Sequence, residues 1–120
     1  MSMTLIDLLH RKATMPFPTI VCLVGSTRFV QAYQDANLRE TLSGRIVLTI
    51  GCDTKSDHDL QLGPIDKTRL DILHLCKIER ADEVLVLNVD GYIGESTRRE
   101  IEYARLLGKT LRWLEPEVTA

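Results

Sequence analysis

Three short apolar runs, each followed by a segment long enough for a helix, constrain the fold of this chain most strongly. They occupy residues 19–24, 45–50 and 83–89, and all three are rich in Val, Ile and Leu. Because their apolar residues are nearly consecutive and do not alternate with polar ones, they predict strands buried on both faces of a parallel sheet. Parallel strands need crossover connections, and the segments between these runs predict helices.

The other elements follow from the same patterns. Residues 1–18 predict a short, loosely docked helix and a connector, which precede a single domain over residues 19–120. Within that domain we predict helices over 27–42, 65–80 and 96–107, a long loop over 51–64, and a fourth strand over 110–114. The predicted fold class is α/β: a small Rossmann-like or flavodoxin-like three-layer domain with a parallel sheet of about four strands.

Composition narrows the class of function. The chain has 120 residues, which fits one domain, and its 15 basic and 17 acidic side chains leave no basic surplus for polymeric nucleic acid. We find no run of about 18 apolar residues and no secretory leader, so we expect no membrane segment and a cytoplasmic protein. Cys22, Cys52 and Cys76 form no CxxC pair, which predicts reduced thiols and argues against a disulfide framework and a zinc site. For the function considered below we expect no metal and no cofactor.

If the strand order is 2-1-3-4, a ligand site is expected where the loops after strands one and three diverge. The first loop holds Gly25, Ser26, Thr27 and Arg28, which offer a turn, helix amides and a forked cation. This combination fits a phosphate or carboxylate, but it equally fits a plain strand-to-helix turn in which Ser26 or Thr27 is the N-cap. The chain has neither GxGxxG nor GxxxxGK[ST], so dinucleotide and P-loop sites are not predicted.

The second loop leads into a helix that carries Glu100. Residues 97, 100, 104 and 107 share one stripe, so the Glu100 carboxyl faces the sheet and points toward the strand ends. The competing interpretation is a capping box, because Thr97-Arg98-Arg99-Glu100 matches T-x-x-E. In that case Glu100 lies in the first turn and only returns a hydrogen bond to the Thr97 amide.

Other polar residues near this loop are further candidates. Arg98 and Arg99 oppose the helix dipole, so either Glu95 and Glu100 or an anionic ligand must offset them. Asp71 and His74 share a helix face and form a possible acid/base pair, although a solvated surface is the simpler interpretation. Tyr92 lies on the glycine loop beside the predicted site, where its ring would flank a planar base.

These residues resemble the nucleoside 2-deoxyribosyltransferase-like superfamily, including its nucleotide N-glycosidase branch, over about residues 19–114. The resemblance rests on three blocks: Gly25-Ser26-Thr27-Arg28 after the first strand, Ala81-Asp82-Glu83-Val84-Leu85-Val86 before the glycine loop, and Ser96-Thr97-Arg98-Arg99-Glu100-Ile101-Glu102-Tyr103-Ala104 with Gly108-Lys109 after it. It implies an enzyme that cleaves or transfers the N-glycosidic bond of a nucleoside or nucleoside 5'-monophosphate.

The resemblance also implies roles for individual residues. Glu100 would be the nucleophile, and Asp71 or His74 the proton donor. Substrate and phosphate binding would fall to the two loops, at Gly25, Ser26, Thr27, Arg28, Tyr92, Gly94, Ser96 and Thr97. The 51–64 loop would join Tyr92 in selecting the base. Family enzymes usually complete their sites across a subunit interface, so a homodimer or larger assembly is expected.

The chain departs from the family pattern at two positions. His74 stands where family members commonly carry an aspartate, eight residues before Asp82, and Gly94 stands six before Glu100, where many are polar. Cytokinin-activating phosphoribohydrolases share a Gly-Thr-x-x-Glu segment, but their preceding Pro-Gly-Gly is absent here. The main alternative is therefore a non-catalytic nucleotide-binding or regulatory module. A third is a partner-binding domain that uses its N-terminal segment.

Overall fold

A computed structural model describes residues 2–51 and 60–116 of the chain. Its elements, in order, are α1 (Leu5–Ala13), β1 (Ile20–Val24), α2 (Val30–Leu42), β2 (Ile46–Leu48), α3 (Pro64–Arg80), β3 (Glu83–Val86), a 3₁₀ turn (Val89–Gly91), α4 (Glu95–Leu106) and β4 (Thr110–Trp113). No helix within these residues is both long and apolar enough to cross a membrane.

The four strands form one parallel sheet in the order β2-β1-β3-β4. This confirms the predicted α/β class and the four strands, and the order 2-1-3-4 is the one on which the expected site depended. From β1 the chain runs outward through α2 to β2, and from β3 it runs outward in the opposite direction through α4 to β4. The C-terminal ends of β1 and β3 therefore lie side by side at the topological switch point.

Alternate residues of the two central strands pack into two separate cores. Cys22 and Val24 point to one face, with residues of α3 and α4 such as Ile78 and Ala104. Val21 and Leu23 point to the other face, with Tyr33 and Ala36 of α2. The apolar runs are continuous because β1 and β3 are covered on both faces, as helices on both sides of a parallel sheet require.

One predicted helix start is wrong, and another differs from the structure by one residue. α2 begins at Val30 and not at residue 27, with Phe29 at the N-cap, so neither Ser26 nor Thr27 caps it. Ser26 instead closes a tight turn: its carbonyl accepts the Phe29 amide at 3.1 Å and its hydroxyl accepts the Arg28 amide at 3.3 Å. α4 begins at Glu95, where Gly94 is the N-cap in an extended conformation.

The start of α4 also overturns the capping-box interpretation. Thr97 is the third residue inside the helix, with helical neighbours on both sides, so it is not a cap. Glu100 is then the sixth residue, in the second turn and not the first. Arg98 and Arg99 likewise lie beyond the first three residues, where the dipole acts on them less.

Two predicted strands are too long. β2 pairs with β1 only as far as Leu48 opposite Cys22. The next carbonyl of β1 that faces β2 belongs to Leu23, and it accepts a hydrogen bond from the His74 side chain. β3 ends at Val86, and after Leu87 the chain turns through the 3₁₀ segment, where Asp90 has φ +55°.

Helix α1 forms from local signals and buries none of its side chains. Thr4 and Asp7 make a reciprocal capping box: the Thr4 hydroxyl accepts the Asp7 amide, and the Asp7 carboxylate accepts the Thr4 amide, each at 3.1 Å. Leu5, Ile6 and Leu9 are more than half exposed. The predicted short, loosely docked helix is thus present.

Candidate functional site

A cavity of about 330 Å³ opens at the switch point, between the loops that follow β1 and β3 and the inner face of α3. Nine of the eleven predicted site residues line it: Gly25, Ser26, Thr27, Asp71, His74, Gly94, Ser96, Thr97 and Glu100. The remaining two, Arg28 and Tyr92, lie outside its lining. Of the predicted 51–64 loop, which the resemblance implied would help Tyr92 to select the base, residues 52–59 are outside the described part of the chain.

Gly25 lets the two central strands approach at this point. A Cβ on Gly25 would lie 3.1 Å from both the Cβ and the carbonyl oxygen of Leu87, and the residue has φ +157°. Leu87 continues the ladder, since its amide donates to the Val24 carbonyl at 2.8 Å. Glycine therefore keeps the end of β1 against β3, and the mouth of the cavity forms beside it.

Glu100 is the acidic group at the inner wall of the cavity. Its side chain is 13% exposed, and its Oε2 accepts no hydrogen bond from any residue that the structure describes. Burial raises the pKa of Glu100 to about 8; the nearby Asp71 charge raises it further, whereas Arg99 and Lys67 lower it. A buried carboxyl oxygen without a hydrogen-bond donor is unusual, because such burial is costly.

His74 lies behind Glu100 and is neutral near pH 7. Burial lowers the pKa of His74 to about 4, and Lys77 adds to this effect, whereas the hydrogen bond to Leu23 opposes it. Its Nε2 lies 2.9 Å from the Leu23 carbonyl oxygen and 3.6 Å from Glu100 Oε2. Because a carbonyl only accepts, Nε2 must carry the proton. An imidazole in this state is poorly suited to protonate a leaving group.

Asp71 and Arg99 form the polar rim of the cavity. Arg99 Nη2 lies 3.6 Å from Asp71 Oδ2 and donates to the Ser96 hydroxyl at 3.3 Å, while Nη1 lies 3.4 Å from Glu95 Oε1. The Arg99 charge is therefore offset within the protein by its contacts with Glu95 and Asp71. Asp71 is 37% exposed, so it is accessible to a ligand.

Arg28 and Tyr92 bridge the two loops just outside the cavity. The guanidinium carbon lies 4.4 Å from the ring centroid, Nη2 donates to the Tyr92 hydroxyl at 3.2 Å, and Nε donates to the Ser26 hydroxyl at 3.2 Å. Phe29 contacts the same ring edge-on. Arg28 therefore holds the loop after β3 in this conformation, and it would have to leave Tyr92 to reach a ligand inside the cavity.

Sequence reasoning missed the cations of α3. Lys67 and Lys77 both line the cavity, and Lys77 donates to the Thr49 carbonyl. Residues 67, 70, 71, 74 and 77 recur at helical spacing, so the periodicity that joined Asp71 to His74 also identifies both lysines. The cavity thus has cationic and anionic walls.

Comparisons with known proteins do not identify a family for this chain. The chain has no significant match among protein-family models, curated proteins or solved structures. Among residues 2–51 and 60–116, His, Cys, Asp and Glu form no cluster of three or more that could hold a metal ion.

Proposed function

We propose that the protein cleaves or transfers the N-glycosidic bond of a nucleoside or nucleoside 5'-monophosphate, with Glu100 as nucleophile. The observation that carries this proposal is the Glu100 carboxyl, buried in a cavity at the switch point with Oε2 free of any hydrogen bond among the described residues. An acidic side chain that is buried without such a bond and that lines a space of ligand size is a candidate for binding or catalysis. The family resemblance of the sequence assigns the same residue to the same chemistry.

The N-terminus of α4 is the proposed phosphate position. Gly94 provides no side chain to cap the helix, and the amides of Glu95, Ser96 and Thr97 precede the first intrahelical bond, from Arg98 to Gly94. Glu100 is five residues further along, about 7.5 Å at the helical rise. This span suits a sugar 5'-phosphate whose phosphate meets the amides and whose anomeric carbon meets Glu100.

The reaction follows from this placement. Ionised Glu100 attacks the anomeric carbon, a C–O bond forms as the C–N bond breaks, and the bonding electrons leave with the base. In this proposal Asp71, which lines the same cavity, passes one proton from solvent to the departing base and takes one proton from the water or second base that attacks next. Water or a second base then attacks the glycosyl ester and restores the Glu100 carboxylate. The proposal includes that the enzyme acts on small molecules, that it is cytoplasmic and that it self-associates.

One observation favours the alternative of a non-catalytic nucleotide-binding module. With a pKa of about 8, Glu100 is mostly protonated at neutral pH, and a protonated carboxyl is not a nucleophile. In such a module the cavity would bind the nucleotide, and Glu100 would donate a hydrogen bond to it.

Chromatographic detection of free base separates the two functions. Purified protein is incubated with ribo- and deoxyribonucleosides and their 5'-monophosphates, beside Glu100→Ala, Glu100→Gln and the exposed control Glu102→Gln. Release of base by the wild type and by Glu102→Gln, but by neither Glu100 variant, supports the enzyme. Absence of release, with monophosphates still bound by all four proteins, supports the binding module.

A further inference from the structure

Three acceptor groups surround the one N–H of His74. Nε2 lies 2.9 Å from the Leu23 carbonyl oxygen, 3.6 Å from Glu100 Oε2 and 3.8 Å from the Cys22 sulfur. The first is an ordinary hydrogen bond and the third is the long, weak contact that sulfur makes, whereas the second is too long for a hydrogen bond between nitrogen and oxygen. Glu100 Oε2, the most basic of the three when ionised, has no donor among the described residues.

We propose that His74 is a positioning residue that transfers its Nε2–H hydrogen bond from the Leu23 carbonyl to Glu100 Oε2 when Glu100 ionises. The contact must shorten from 3.6 Å to about 2.8 Å, the usual length of a bond to a carboxylate, so a displacement below about 1 Å suffices. His74 keeps its proton throughout: it orients the nucleophile and does not act as an acid.

The Leu23 carbonyl can release His74 without becoming unpaired. The Cys22 thiol lies 3.8 Å from the same oxygen and is a weak donor to it. Burial, followed by the Glu100 charge, raises the pKa of Cys22 to about 12, so this thiol retains its hydrogen. Cys22 therefore compensates in part for the hydrogen bond that Leu23 loses.

The charges around the pair allow this exchange. The titratable and charged groups that face His74 and Glu100 come from three elements: Lys67, Asp71 and Lys77 on α3, Arg99 on α4, and Cys22 on β1. Arg99 is engaged by Asp71, Glu95 and Ser96, and Lys77 by Thr49. The Nε2–H of His74, 3.6 Å from Oε2, is not held by any of these charges and is near enough to reach it.

The catalytic use of this exchange rests on the proposed function, but the exchange itself needs no substrate. We would record NMR spectra of the uniformly ¹³C,¹⁵N-labelled protein from about pH 6 to about pH 9.5. The Glu100 carboxyl carbon should titrate near its pKa of about 8. The His74 Nε2–H and Leu23 carbonyl resonances should move with the same midpoint, while Nε2 stays protonated. A static Nε2–H resonance across the Glu100 titration would overturn the proposal.

A pair of variants tests whether the hydrogen bond acts on Glu100. His74→Gln places an amide N–H near the position of Nε2, whereas His74→Met fills similar space without a donor. The Glu100 pKa should rise by about one unit in His74→Met, a tenfold gain in proton affinity, and by clearly less in His74→Gln. Equal pKa values in wild type and His74→Met contradict the proposal. If His74→Met does not fold, the wild-type titration still decides.

The proposed function and this inference can be contradicted separately. Base release can be absent although the titration shows the hydrogen-bond exchange, and base release can be present although the titration shows no exchange. If both succeed, the acid limb of the pH–rate profile should move upward in His74→Met together with the Glu100 pKa. A purely structural role for His74 would lower activity equally at every pH and leave that limb in place.

Discussion

The guanidinium of Arg28 lies over the ring of Tyr92, 4.4 Å from its centroid, and joins the loop after β1 to the loop after β3. These two loops form the mouth of the cavity, and they come from strands that are neighbours only because the sheet has the order β2-β1-β3-β4. The contact therefore couples the shape of the site to the topology of the sheet.

A double-mutant cycle on this pair should give a favourable coupling of about 0.5–1 kcal/mol, since both groups are partly exposed. Arg28→Lys keeps the charge but loses the fork, and Tyr92→Leu removes the ring. Urea unfolding of the two single variants and the double variant measures the coupling. Additive losses would show that the stacking contributes nothing to stability.

Glu100→Gln should stabilise the protein increasingly as pH rises. The native pKa of about 8 lies above the ordinary value of 4.5, so between these pH values the native state binds more protons than the unfolded state. Wild-type stability therefore falls across this window, by at most about 1.4 kcal/mol per pH unit, while the amide is unaffected. Thermal melts at several pH values should show a small difference near pH 4.5 and a larger one, a few kcal/mol at most, near pH 8. Glu102→Gln, on the exposed face of α4, should show no such trend.

Asp71→Asn should lower the Glu100 pKa. Burial is the main cause of the raised value and remains, but the second cause, the Asp71 charge, is removed. The pH at which base release rises should move downward, as should the stability transition assigned to Glu100. Glu95→Gln is the matched control, because Glu95 also pairs with Arg99 but is 91% exposed. A downward shift of equal size in both variants would implicate Arg99 and not Asp71.

The sheet was predictable because its signals are local. Continuous apolar runs at β1 and β3 reflect burial on both faces, and the sheet order follows from one choice of switch point. The ends of elements were less predictable. T-x-x-E at Thr97–Glu100 fits a capping box as well as it fits the interior of a helix, and the choice depends on the extended conformation of Gly94. No pattern in the sequence predicts that conformation of Gly94.

The site was predictable to the extent that it follows from the topology. Nine predicted residues line the cavity: some belong to the loops after adjacent parallel strands, which meet at the switch point, and the others to the helices α3 and α4 beside them. The contacts of individual side chains were not predictable. That Arg28 stacks on Tyr92, and that His74 bonds to a strand carbonyl, depends on distances between segments 64 and 51 residues apart. Spacing in sequence carries no information about such contacts.

Gly25→Ala should destabilise the protein by about 1–3 kcal/mol. The new Cβ would lie 3.1 Å from the Leu87 Cβ and carbonyl oxygen, so β1 and β3 would have to separate at the cavity mouth. Gly44→Ala is the control: Gly44 also has positive φ, but a Cβ there meets no atom within 4 Å. Urea unfolding should therefore show a larger loss for Gly25→Ala. Equal losses would mean that backbone strain alone explains both.

Glu40 is a charged residue whose role depends on a long-range contact, and sequence patterns did not identify it. Glu40 is 2% exposed near the end of α2, where Arg112 of β4 donates to both carboxylate oxygens. This hydrogen bonding to Arg112 lowers the pKa of Glu40 below its ordinary value.

Glu40→Gln should cost about 2–3 kcal/mol, less than a fully buried pair because Arg112 is one-third exposed. Chemical denaturation at neutral pH measures this loss. The stabilisation by Glu40 is present above its unfolded-state pKa of about 4.5 and is lost as pH falls toward the native value, so the difference between wild type and variant should shrink in acid. Arg112→Met with Glu40→Leu removes both charges together and should recover part of the loss. A double variant less stable than Glu40→Gln alone would instead show that the pair also anchors α2 to β4 by its geometry.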